Sequence, residues 1–168
     1  MTKPAQLLLI VSLAVATITY SDDSQQLDLK ILEGEWEGDG EFLMPVTDIP
    51  MSVEGQAQFV WDSVTGRLRT ALTAEKFLFT YSDSGYLVLD SRTDSISWEV
   101  WDNFGKHAKY YGQVSGKKVV GNRYRRGNHY QVVVELVTND SIDFRLTVTE
   151  PDSNQFNRAV FNLWRVKK

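Results

Sequence analysis

Cysteine is absent from the 168-residue chain. That excludes disulfide scaffolds, thiol catalysis, iron–sulfur clusters and cysteine-ligated zinc. Histidine is scarce, with two in the whole chain, so a dedicated transition-metal cage has no ligand set, and no metal site is expected. Excess positive charge is missing as well. The formal net charge is −4, which leaves no basic field for a nucleic-acid backbone. No apolar run is long enough to span a bilayer. What the chain has in quantity is aromatic side chains, 12% of its residues, with eight Phe, seven Tyr and five Trp. Such a payload belongs to a folded core, and the length suits one domain.

The first 21 residues have the make-up of a signal peptide. Lys3 supplies a positive start, and Leu7 to Ala16 form an apolar stretch of the length of a signal h-region. Small residues follow, with Thr19-Tyr20-Ser21 before Asp22 as one cleavage position and Ala14-Val15-Ala16 as another. The expected organisation is a signal peptide over 1–21, an N-terminal segment with a short helix over 22–33, and a β-domain over 34–168. The mature protein is expected to be exported, periplasmic or secreted, with no stable membrane span.

From residue 34 onward the pattern is period two. Tyr130, Val132, Val134 and Leu136 share one face, against His129, Gln131, Val133 and Glu135. Ile142, Phe144, Leu146 and Val148 likewise oppose Asp143, Arg145, Thr147 and Thr149. Turn signals recur at Asp62–Gly66, Ser82–Gly85, Asp102–Gly105, Ser115-Gly116, Gly127-Asn128, Thr138–Ser141 and Glu150–Ser153. A helical turn is expected only near the start, with Ser24 as N-cap, Leu27 and Ile31 four apart, and Gly34 as the stop. The fold class is therefore all-β: an antiparallel up-and-down β-barrel of roughly nine to ten strands, closed because closure removes exposed edges.

Gly34-Glu35-Trp36-Glu37-Gly38-Asp39-Gly40 is the strongest local signal. It is no phosphate loop, since it lacks a lysine and carries acids where phosphate would sit. A first barrel strand accounts for it, with glycines for close approach and Trp36 plugging the barrel bottom. Gly34-Glu35-Trp36 after a short helical turn resembles the G-x-W that opens the first strand of calycins, the group of lipocalins and fatty-acid-binding proteins. Trp61-Asp62…Gly66-Arg67, Gly85-Tyr86, Trp101-Asp102…Gly105 and a basic last strand extend the likeness to an uncharacterised lipocalin-like family of exported bacterial proteins. The resemblance implies that Trp36 packs against a basic side chain on the last strand, with Arg165 the first candidate and Arg158 the second. Gly34, Trp36 and Arg165 are then the barrel-closing set. Nitrobindin-like haem proteins share the same opening, and their haem is held by a His on the closing strands. Residues 155–166 contain no His, and no cofactor is expected.

Catalytic motifs do not emerge. There is no G-x-S-x-G elbow, since Gly112-Gln113-Val114-Ser115-Gly116 has the wrong spacing, and neither His107 nor His129 sits in a metal-binding pattern. Binding candidates do. Arg123 and Arg125 share a face, opposite Tyr124 and Arg126, so they point either into the barrel as anion binders or outward as a solvated hairpin edge. Trp98 shares a face with Ile96 and Val100 and is a better cavity wall than Trp101. With Tyr110, His129 and Arg145 these form the candidate cavity residues. The expected partner is a small apolar or amphipathic molecule. Three alternatives stand beside it: an interaction module with a filled barrel, a haem barrel, and a small enzyme using His107 or His129. Asn139-Asp140-Ser141 is a glycosylation sequon, relevant only to a eukaryotic source.

Overall fold

Alternation carries most of the described residues into one sheet. The computed structural model describes residues 28–43 and 49–167, so the signal-like segment and the expected cap at Ser24 with Leu27 lie outside the described residues. A 3-10 turn, Leu29–Leu32, is capped by Asp28, whose carboxylate accepts from the Lys30 amide. Ten strands follow: β1 (Gly34–Leu43), β2 (Pro50–Asp62), β3 (Arg67–Lys76), β4 (Phe79–Asp90), β5 (Ser95–Asp102), β6 (His107–Ser115), β7 (Lys118–Arg125), β8 (Asn128–Thr138), β9 (Ser141–Thr149) and β10 (Gln155–Arg165). Each pairs antiparallel with its sequence neighbour, and β1 pairs with β10, giving a closed up-and-down barrel.

The inner face collects the alternating apolar residues, with Leu68, Leu72, Leu87, Trp98, Val132, Val134, Ile142 and Leu163 among those buried. The glycines of the opening motif serve packing. A Cβ at Gly40 or Gly55 would collide with the ring of Phe161 on β10, which is fully buried against β1 and β2. Removing two side chains thus makes room for one large one.

Up-and-down connectivity sends alternate hairpins to opposite ends. The 3-10 turn and the end of β10 share one end with the 63–66, 91–94, 116–117 and 139–140 connections. The Phe77-Leu78 tip and the 103–106, 126–127 and 150–154 connections gather at the other.

The first end is closed by the residues expected to close it. Trp36 is buried, and its indole N–H donates to the Leu32 carbonyl at 2.9 Å. The Arg165 guanidinium lies 4.2 Å from the Trp36 ring centroid. It also donates to the carbonyls of Glu33, Ile31 (2.6 Å) and Asn139 (3.2 Å). The Ile31 and Glu33 carbonyls are orphan acceptors of the 3-10 turn's end and that of Asn139 belongs to the β8–β9 turn, so one planar cation ties the two together while covering the indole. Arg165 takes this place, and Arg158 lies elsewhere.

Two expectations require correction. Ser82–Gly85 is the interior of β4, and the tips on either side are Phe77-Leu78 and residues 91–94. Gly85 is needed there because a Cβ would strike the Glu99 carbonyl across the sheet. Ile31, expected on the apolar side of the helical turn, is exposed, whereas Leu29 and Leu32 are buried.

Candidate functional site

Side chains do not fill the barrel. A cavity of about 250 Å³ runs up its axis, walled at depth by Phe59, Leu72, Trp98, Val132, Ile142 and Leu163. Its upper wall includes Lys106, Phe104 and Arg125, all exposed, so the cavity opens at the end opposite Trp36. Trp98 is held by a bond from its indole N–H to the Thr70 hydroxyl, 3.1 Å. That bond spends the one polar group of the ring inside the core and fixes the ring as a wall.

Four cations line this space: Lys106, Arg123, Arg125 and Arg158. The two β7 arginines point inward, which resolves the choice left by the sequence. Arg123 lies beside the Tyr110 hydroxyl and 5.8 Å from the Tyr130 ring centroid. Arg158 reaches the cavity through a bulge in β10. The register with β9 skips from Asn157 to Ala159, leaving Arg158 as the extra residue that a bulge re-aims. Among the described residues, none of these four cations has an ion-pair partner, whereas outside the cavity Arg69 pairs with Asp62 and Lys118 with Glu135.

The cavity also holds two carboxylates that sequence reading took for turn residues. Asp83 and Asp102 face each other across β4 and β5. Asp102 is committed to its own turn, accepting from the amides of Phe104 (3.0 Å) and Lys106 (2.8 Å). Asp83 accepts from the Tyr81 hydroxyl at 3.2 Å. Burial raises the Asp83 carboxyl to about 7, assisted by the charge of Asp102 and opposed by the Tyr81 bond. Burial likewise raises the Tyr81 and Tyr110 hydroxyls, so both are neutral donors at ordinary pH. The only sequence signal for Asp83 was its inward parity with Leu87 and Leu89, and the Asp-Ser-Gly composition concealed it.

Two of the expected cavity residues lie outside the cavity. His129 neighbours Tyr130 in sequence and therefore faces outward, stacked on Tyr124 at 4.7 Å and bonded to Asn122 at 2.9 Å. Arg145 alternates with Phe144, a cavity residue, and is exposed. His107 is also external, stacked on Trp101 and 2.8 Å from Glu99. The cavity lining thus contains neither His, and a haem held by His on the closing strands does not fit it. Trp98, Tyr110, Arg123 and Arg125 are brought together as expected.

No protein-family model and no curated protein matches the chain. Among solved structures, a protein of unknown function from the DUF3598 family of Nostoc punctiforme PCC 73102 is similar, with a TM-score of 0.60 and 12% identity. The match covers 84% of this chain and 50% of the Nostoc protein, so the chain spans half the length of that relative. Rv2717c from M. tuberculosis is similar with a TM-score of 0.60 and 16% identity, over 83% of this chain and 95% of its own. At these identities the likeness is one of fold alone.

Proposed function

We propose that the barrel binds one small amphipathic anion, with its apolar body against Trp98, Leu72 and Val132 and its charged end at Arg123 and Arg125. The observation that carries this reading is an open apolar cavity lined by four cations without carboxylate partners among the described residues. Arg123 and Arg158 are half-buried, where cations are ordinarily paired, and a bidentate anion such as a carboxylate supplies the missing acceptors. Protonated Asp83 and the Tyr110 hydroxyl are additional donors toward the same anion. The cavity, about 250 Å³, falls just below the roughly 300–1,000 Å³ of drug-sized sites, which sets the ligand at the small end.

The filled-barrel interaction module loses ground to this reading because the interior is open. A reaction through either His has no support inside the cavity. The likeness to lipocalins concerns architecture, and ligand carriage rests on the cavity residues themselves. Export of the mature chain belongs to the same reading, supported by the composition of residues 1–21, and N-terminal sequencing of protein from its own source tests it. The experiment for the binding reading is native mass spectrometry of protein purified from that source. A discrete adduct of one acidic small molecule is expected. A bare polypeptide mass that also acquires no adduct from added decanoate would overturn it.

A further inference from the structure

We infer that the rim of the open end is an anchor for an anionic lipid surface. At the β3–β4 tip, Phe77 is 100% exposed and Leu78 92% exposed, so two large apolar side chains stand wholly in water. Phe77 also has φ +51°, at the first position of a two-residue hairpin loop where turns with positive φ ordinarily take glycine. A bulky aromatic in a left-handed position is a strained choice, and this one gains no packing in the folded chain. Neither core nor turn explains the residue. Phe104 and Ile49 add exposed apolar surface at the same end.

Lys76 flanks this tip, and exposed Lys106, Arg125 and Arg126 stand on the neighbouring rim. Apolar tips with cations set behind them match a bilayer containing acidic lipids: rings and alkyl groups enter the acyl boundary while the cations meet phosphates. Exposed Glu41, Glu75 and Asp152 and half-buried Asp102 and Glu150 lie at this end as well and weaken the attraction, so the apolar tip supplies the main hold and the cations beside it the preference for acidic lipid. Among the described residues the closed end carries Val64, 92% exposed, and Trp164, about half exposed, with no adjacent apolar pair like Phe77-Leu78. Anchoring by this rim would set the cavity mouth against the membrane. That goes beyond the binding reading and does not depend on it.

The test is co-sedimentation of the mature protein with vesicles of phosphatidylglycerol and phosphatidylcholine, beside vesicles of phosphatidylcholine alone, with no small ligand added. The protein is expected to partition onto the acidic vesicles and to be released by salt. Phe77→Ser with Leu78→Ser should lower partitioning by at least about tenfold. Lys76→Glu with Arg126→Glu, which leaves the tip's apolar residues in place, should lower it by a similar factor on acidic vesicles only. Arg123→Gln, inside the cavity, should leave it unchanged, which separates this result from the fate of the cavity reading. No partitioning by the wild type, or wild-type partitioning by either rim variant, would overturn the inference. So would self-association in the absence of vesicles that the Ser variant abolishes, since the rim would then be a contact between copies.

Discussion

The two ends of the barrel are built on opposite principles. At the closed end the Trp36 indole has the Leu32 carbonyl, and Arg165 satisfies three backbone carbonyls while lying on the ring. At the open end hydrogen bonds are made, but charge is not balanced by ion pairs. Cations lack ion-pair partners among the described residues, a carboxyl is held near neutrality, and Phe77 and Leu78 are bare. The difference separates residues that maintain the fold from residues kept for something outside it. Strain and exposed apolar surface persist where function holds them, and saturation of hydrogen bonds marks the scaffold.

The sharpest way to break this comparison is at the closed end. Trp36→Ala should destabilise the protein by about 3–5 kcal/mol in urea denaturation, the usual cost of emptying a buried Trp site. Arg165→Lys should recover little of the loss seen in Arg165→Ala, because an ammonium cannot reach three carbonyls and stack on the indole together. A loss below about 1 kcal/mol for either would show that closure lies elsewhere.

Inside the cavity the expected effects fall on binding. Arg123→Gln should weaken decanoate binding by roughly ten- to a hundredfold, the worth of a charge-assisted hydrogen bond, with its urea midpoint close to wild type. Asp83 connects binding to pH. Burial raises its carboxyl in the folded state to about 7 from the ordinary 3.8. The folded protein therefore binds more protons than the unfolded chain between those values, and its contribution to stability falls as pH rises through that window. Asp83→Asn should flatten the decline in thermal midpoint between about pH 4 and 7 relative to wild type. An identical slope in both proteins would remove Asp83 from that role.

The smallest effect belongs to the rim. Phe77→Gly should raise stability by about 0.5–1 kcal/mol, since it relieves a left-handed aromatic and removes no packing. A destabilised Phe77→Gly would mean that the ring makes a contact the fold needs.

Much of the scaffold was legible in the sequence because each signal had one physical cause. Gly66, Gly105, Gly116 and Gly127 all have positive φ, and each lies at or beside a turn read from composition. The period-two faces of β8 and β9 came out as expected because burying one face of a strand forces alternation. The pairing of Trp36 with Arg165 came from the likeness to calycins and is observed. The site was less legible. Asp83-Ser84-Gly85 has the composition of a turn, yet Gly85 serves close approach between strands and Asp83 points inward. The true tip carries Phe77-Leu78, which no turn rule would select. His129 and Arg145 drew attention by their chemistry, although alternation with Tyr130 and Phe144 already assigned them to the outer face. Arg158 depends on a bulge, which period-two reading does not register.

The contrast between the ends reduces to one question, whether the open interior receives an anion. Paired calorimetric titrations of the mature protein with decanoate and with decyltrimethylammonium, equal in chain length and opposite in charge, answer it directly. The unpaired arginines predict saturable one-to-one binding of decanoate, at least about tenfold tighter than the cation and weakened by Arg123→Gln. Equal affinity for both, or tighter binding of the cation to the Asp83 and Asp102 side, would contradict the account.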